Sequence, residues 1–147
     1  MLYRVHLNSF EKEVFEYALH SSRFIGICTY KKSGRVQMLP EYARFFERMA
    51  PFAVQNEKFE WAPYQHYRSG QSMGFFSLVP ESIKLLSDFP GSFFGAEDAC
   101  FPDISFYNGK QAWLYCIGHE EILYLRTDDA ETVAKIESFG CRADLCR

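Results

Sequence analysis

Three short hydrophobic runs in the C-terminal half, separated by turn residues, most constrain the fold of this chain. They cover residues 104–107, 111–117 and 121–126. The pair Asn108-Gly109 stands between the first two runs, and this pair favours a tight turn between antiparallel strands. A second turn is expected near Gly118. Residues 103–126 therefore predict an antiparallel meander, and the rest of the fold must be built around it.

Four segments have the hydrophobic period of short amphipathic helices. The first covers 9–21 after a capping position at Asn8 or Ser9, and the second covers 41–50. Pro80 stands at the first position of a third helix over about 81–88. A fourth helix is expected to begin at a capping box of Asp128 and Glu131 and to end near Gly140.

Two further strands are expected, at 23–30 and 75–79, and a turn at 31–34 predicts that the first strand returns over 35–39 as a hairpin. The last seven residues are expected to fray. The length of 147 residues suits one domain, and no repeat or linker interrupts it. We therefore predict a single α+β domain over 1–147, a mostly antiparallel sheet with several short helices packed on it.

Aromatic residues must form much of the core, because the chain has 15 Phe, 9 Tyr and 2 Trp. The segment Phe59–Phe76 differs from the other aromatic stretches because polar donors stand among its rings. Such a mixture is typical of interface hot spots and ligand pockets. The predicted contact residues are Trp61, Tyr64, Gln65, His66, Tyr67 and Arg68. The loop at 89–102, rich in Phe, Pro and Gly, is a second candidate.

No catalytic or metal-binding motif accompanies this segment. The five cysteines are dispersed and form no CxxC pair, so we expect reduced thiols and no metal site. Cys116 and His119 are three residues apart on an expected strand and point to opposite faces, which is poor geometry for a catalytic dyad. Glycine-rich phosphate loops are absent. The sequence therefore predicts no cofactor and gives no specific indication of an enzyme.

Charge and hydropathy narrow the choice of partner. The net charge of −3 argues against a nucleic-acid partner. Residues 1–73 carry an excess of basic residues and 74–147 an excess of acidic ones. Either the two halves attract each other within one fold, or an acidic surface binds a basic partner. The N-terminus has no signal-peptide pattern and no apolar run is long enough to span a membrane, so we expect a cytoplasmic protein.

Two functions remain open from the sequence. The first is a non-catalytic protein-binding module, of the adaptor or toxin-neutralising type, that uses the aromatic loops and the acidic C-terminal half. The alternative is a small-molecule-binding protein or enzyme, with a pocket formed by Trp61, Tyr64, His66, Tyr67 and Arg68.

Overall fold

The computed structural model describes residues 1–7, 11–30, 40–54, 58–62, 71–94 and 103–147, without the side chains of residues 29, 30, 71, 72 and 119. Within these residues, four α-helices accompany one eight-stranded sheet. Every strand pairing in the described part is antiparallel. The predicted α+β class is confirmed.

The sheet has the order β3-β4-β2-β5-β6-β7-β1-β8. Its strands are β1 (Leu2–His6), β2 (Phe24–Tyr30), β3 (Ala53–Val54), β4 (Gln71–Ser77), β5 (Asp103–Tyr107), β6 (Ala112–Ile117), β7 (Ile122–Arg126) and β8 (Arg142–Leu145). The helices are α1 (Glu11–Ser21), α2 (Pro40–Met49), α3 (Pro80–Asp88) and α4 (Ala130–Glu137). The predicted meander is confirmed as β5, β6 and β7, which are neighbours in the sheet.

The turn between β5 and β6 is fixed by the side chain of Asn108. Its Oδ1 accepts a hydrogen bond from the backbone N–H of Arg23 at 3.0 Å, and its Nδ2 donates to the carbonyl of Ser21 at 2.9 Å. The same side chain that favours the turn therefore also ties it to the end of α1 and the start of β2.

The expectation that the last seven residues fray is wrong. Residues Arg142–Leu145 form β8, which pairs with β1 in the register Arg4↔Asp144 and His6↔Arg142. Beyond the strand, the N–H of Cys146 donates to the carbonyl of Leu2 at 2.8 Å. Neither β1 nor β8 was predicted from the sequence. Each is short, and their pairing joins opposite ends of the chain.

Helix α4 begins one residue later than its predicted capping box. Asp129, not Asp128, is the N-cap, and its carboxylate accepts the backbone N–H groups of Glu131 and Thr132, both at 3.1 Å. Asp128 instead pairs with the N-terminal ammonium group of Met1. The backbone of Gly140 has a positive φ of 90°, which suits its predicted position after the helix.

The hairpin predicted after β2 falls on residues 31–39, which lie outside the described residues. The described neighbours of β2 are β4 on one side and β5 on the other. Both edges of β2 are therefore occupied over Phe24–Cys28.

The sheet has two faces with different cover. On the first, which we call the helical face, rings of the sheet and of α1 pack together; Phe15 lies 5.8 Å from Phe106 in an edge-to-face arrangement. The second face carries a separate aromatic cluster centred on β4, β2, β5 and β6, with Leu2 and Tyr124 at its border, and no described helix contributes to this cluster. The described helices therefore do not pack on the aromatic cluster of the second face.

Candidate functional site

The described rings of the predicted contact segment cover part of the second face. Phe59 stacks on Phe75 with ring centroids 4.7 Å apart, and it contacts Phe24 and Tyr107 edge to face at 5.0 and 5.1 Å. Trp61 is half-buried against the same cluster. These rings act as packing groups, as most rings in this chain were expected to do.

Among the six predicted contact residues, Trp61 is within the described part of the chain. The other five lie outside it: Tyr64, Gln65, His66, Tyr67 and Arg68. Their role in partner binding, and the small-molecule pocket predicted around them, remain predictions.

The first part of the second candidate loop is anchored to the helical face. The Phe93 ring packs edge to face against Phe15 at 5.2 Å and Phe106 at 5.9 Å. The N–H of Phe94 donates to the Glu11 carboxylate at 2.5 Å. Residues 89–94 therefore hold the loop to the core, while residues 95–102 lie outside the described part.

The thiols of Cys28 and Cys116 are buried, as predicted. Burial, followed by the nearby Asp103 carboxylate, raises the pKa of Cys28 from 9.0 to about 12. Burial also raises the pKa of Cys116, whose Sγ accepts the N–H of Ile104 at 3.2 Å. Both thiols are therefore protonated at neutral pH and unsuited to nucleophilic attack. The side chain of His119, the other half of the dyad considered from sequence, lies outside the described atoms.

Beyond the aromatic cluster, which Leu2, Tyr115 and Tyr124 join at its border, the second face continues over β6, β7, β1 and β8. Register places Tyr115, Tyr124, Arg4 and Asp144 in one row across these four strands. Residues two positions along a strand share its face, which adds neighbouring rows. We call this surface the open face; it consists of Leu2, Arg4, His6, Tyr115, Ile117, Ile122, Tyr124, Arg126, Arg142 and Asp144.

Most side chains of the open face reach solvent. Arg4 is exposed, Tyr124 and Arg126 are half-buried, and the side chains of His6 and Asp144 are 39% and 52% exposed. Tyr115, opposite Tyr124 on the neighbouring strand, is buried, and its ring centroid lies 5.4 Å from that of Tyr124. Burial raises the pKa of Tyr115. The open face thus combines a ring platform with accessible charged groups.

The charges of the open face are predominantly positive. Asp144 Oδ2 lies 2.9 Å from His6 Nε2 and 3.0 Å from Arg142 Nη2, and it accepts a hydrogen bond from Arg142 Nε at 3.2 Å. The Arg126 guanidinium lies 5.8 Å from the centre of the Tyr115 ring. Within the described residues, neither Arg4 nor Arg126 has a carboxylate oxygen within 4.0 Å. Asp144 is thus engaged by His6 and Arg142, and the described residues bring no carboxylate to Arg4 or Arg126.

Two grooves lie among the helices on the other side of the sheet. One, of about 530 Å³, separates α2 from α3, and its lining includes both Arg44 and Asp88. The other, of about 480 Å³, separates α1 from α4; there Lys135 Nζ lies over the rings of Tyr17 and Phe139, at 5.7 and 5.3 Å. Acidic and basic side chains line both grooves, so neither selects a partner by charge.

The described acidic residues of the C-terminal half do not gather in one place. Glu120 and Glu121 precede β7, whereas Asp128 and Asp129 follow it, at the opposite end of the strand. Asp128 pairs with the N-terminal ammonium group, Asp129 caps α4, and Asp103 is buried. Several of these acids therefore serve the fold, and Asp128 does so by pairing with the first residue of the chain.

Neither a metal-binding cluster nor a helix of membrane-spanning length occurs among the described residues. In that part of the chain, no group of three or more His, Cys, Asp or Glu side chains is arranged to hold a metal ion. Among the described helices, none has the length and apolar character required to cross a bilayer.

Sequence reasoning missed the open face because its rows join distant segments. A local signal was present in β1: Leu2, Arg4 and His6 alternate with Tyr3, Val5 and Leu7, which is the period of a half-buried strand. The position of this strand between β7 and β8 has no comparable local signal.

Comparison with models of protein families, with curated proteins and with solved structures gives no match for this chain. Its function is therefore argued from the geometry of its own residues.

Proposed function

We propose that this protein is a non-catalytic protein-binding module, of the adaptor or toxin-neutralising type, that binds its partner through the open face. The observation that carries the proposal is the row Tyr115, Tyr124, Arg4 and Asp144, which lies on four adjacent strands without a described helix over it. A rigid sheet holds these side chains in fixed relative positions, which reduces the entropy lost on binding.

The composition of the surface supports a protein partner. Tyrosine and arginine are enriched among the residues that dominate binding energy at protein interfaces. Tyr124 offers a half-buried ring that packs beside the ring of Tyr115, and Ile117 and Ile122 lie opposite each other next to this pair, both half-buried. The surface is a sheet face and not a deep cleft, a shape that suits a protein more than a small molecule.

Affinity capture with matched variants tests the proposal. Wild-type protein, Tyr124→Ala and Tyr17→Ala are immobilised, and native extract of the source cells is passed over each in low salt. Tyr17 is a half-buried tyrosine of α1 on the helical face, so Tyr17→Ala controls for the loss of a ring elsewhere. We expect a protein that wild type and Tyr17→Ala retain and Tyr124→Ala loses. Its Kd, measured after purification, should rise at least about tenfold in Tyr124→Ala.

Two outcomes would overturn the proposal. Wild-type protein that retains nothing would contradict binding of a protein, and equal retention by Tyr124→Ala and wild type would place the binding surface elsewhere. His66→Ala and Arg68→Ala belong in the same experiment because the sequence predicts contact through these residues. Loss of the partner in these variants, with retention in Tyr124→Ala, would favour the predicted segment over the open face.

A further inference from the structure

We infer that the partner presents an acidic segment to the open face, with two carboxylates on the same side of an extended chain. This inference rests on the proposed function and specifies the partner of the same surface. It differs from the basic partner that the sequence suggested, because the acids of the C-terminal half are dispersed while basic side chains gather on the open face.

The guanidinium groups of Arg4 and Arg126 carry the inference. Arg4 lies opposite Tyr124, and Arg126 is two residues farther along β7 on the same face. Neither has a carboxylate oxygen within 4.0 Å in the described part of the chain. Guanidinium groups bind carboxylates through paired, charge-assisted hydrogen bonds. A partner carboxylate would give each guanidinium the counter-charge that the described residues do not provide.

The spacing of these residues suggests how the two carboxylates are arranged. Diagonal neighbours on adjacent antiparallel strands are about 7–8 Å apart between Cα atoms. Residues i and i+2 of an extended chain are about 6.6 Å apart and point to the same side. A Glu-x-Glu sequence in extended conformation therefore brings one carboxylate towards Arg4 and the other towards Arg126.

Half-buried apolar groups border the basic pair. Leu2 lies opposite Arg126, and Ile122 is two residues from Tyr124. Apolar side chains of the partner next to its acidic segment would contact these groups, and a leucine at each end of the segment supplies them.

Single-stranded nucleic acid is the other occupant that a ring and two guanidinium groups on a sheet would suit. The net charge of −3 of the whole chain disfavours it, since affinity for phosphate chains comes from many basic residues. We therefore retain the acidic protein segment as the occupant and include the oligonucleotide in the test.

Fluorescence anisotropy with three labelled probes tests the inference on the full-length protein. The probes are Leu-Ser-Glu-Ser-Glu-Ser-Leu, the same peptide with Gln for both Glu, and a single-stranded oligonucleotide. We expect the Glu peptide to bind at least about tenfold more tightly than the Gln peptide, and its affinity to fall as salt is added. The oligonucleotide should bind more weakly than the Glu peptide.

Two double variants with the same change of charge locate the binding. Arg4→Gln with Arg126→Gln should weaken binding of the Glu peptide at least about tenfold. Arg44→Gln with Arg48→Gln removes two exposed arginines of α2, which packs on the helical face, and should change the Kd less than about twofold. Circular dichroism confirms that both proteins are folded.

The inference is overturned if the Glu and Gln peptides bind equally, if neither binds, or if the two double variants lose affinity alike. A preference for the oligonucleotide overturns it in favour of nucleic acid. The proposed function is tested separately from the acidic segment. A captured protein that depends on Tyr124 but not on Arg4 and Arg126 would support protein binding and refute the acidic segment.

Discussion

The hydroxyl of Tyr107 joins the sheet to the segment that covers part of its second face. The residue is fully buried, and its hydroxyl donates to the carbonyl of Glu60 at 2.8 Å. Lys58 lies two residues before Glu60 in the sequence. Ala62 lies two residues after it and is buried in the aromatic cluster of the second face. This single hydrogen bond therefore helps to position the chain just before the predicted contact residues.

Tyr107→Phe should lower the free energy of unfolding by about 0.5–1.5 kcal/mol, because the ring packing remains and one hydrogen bond is lost. Urea denaturation measures the change. Tyr3→Phe is the control: among the described residues, its hydroxyl has the Met1 sulfur at 3.9 Å as its hydrogen-bond partner. The control should change stability by less than about 0.5 kcal/mol. Equal losses in the two variants would refute the role given to the Tyr107 hydroxyl.

At the scale of single elements, β2 is fitted closely beneath the aromatic cluster at Gly26. A Cβ atom at this position would lie 3.1 Å from Phe75 Cε1 and 3.2 Å from Tyr107 Cε2. Both rings are buried and packed against Phe59, so they have little freedom to move away. The absence of a side chain at Gly26 is thus part of the packing of the second face.

Gly26→Ala should destabilise the protein by about 1–3 kcal/mol through overpacking. Gly109→Ala is the matched control, because a Cβ atom at Gly109 would have nothing within 4 Å. Thermal and urea unfolding of both variants give the comparison. If Gly26→Ala unfolds with the same midpoint as Gly109→Ala, the rings of the second face are not held as tightly as their contacts indicate.

The elements that were predicted correctly have local signals, and those that were missed do not. The meander follows from alternating residues and the Asn108-Gly109 turn, and the helix at Pro40–Met49 follows from apolar residues on one side. β8 has a largely exposed sequence, and it forms because β1 offers an edge from the other end of the chain. The open face depends on this pairing, so its rows were beyond sequence reasoning.

At the scale of the whole molecule, the two halves of the sequence are interleaved. β1 inserts between β7 and β8, which places Arg4 beside Tyr124 and Asp144. Ion pairs also cross between the halves, as in His6 with Asp144 and Lys110 with Glu60. The charge difference between sequence halves therefore does not correspond to two opposed surfaces. A local concentration of arginine can occur within a chain of net negative charge.

The buried ionisable groups make the stability of the whole fold sensitive to alkaline pH. Burial raises the pKa values of Cys28, Cys116, Tyr107 and Tyr115, so the folded protein keeps these protons at a pH where the unfolded chain releases them. For Cys28 this pH range extends from the unfolded pKa of 9.0 to the folded pKa of about 12. Stability from these groups is fully present below the unfolded pKa and is lost as pH rises through this range.

We therefore expect the free energy of unfolding to fall above about pH 9, by about 1.4 kcal/mol per pH unit for each group that ionises in the unfolded chain alone. Urea denaturation at a series of pH values measures the slope. Cys28→Ala should reduce the slope by the share of one group. An identical slope in Cys28→Ala would show that this thiol ionises as readily in the folded protein as in the unfolded chain.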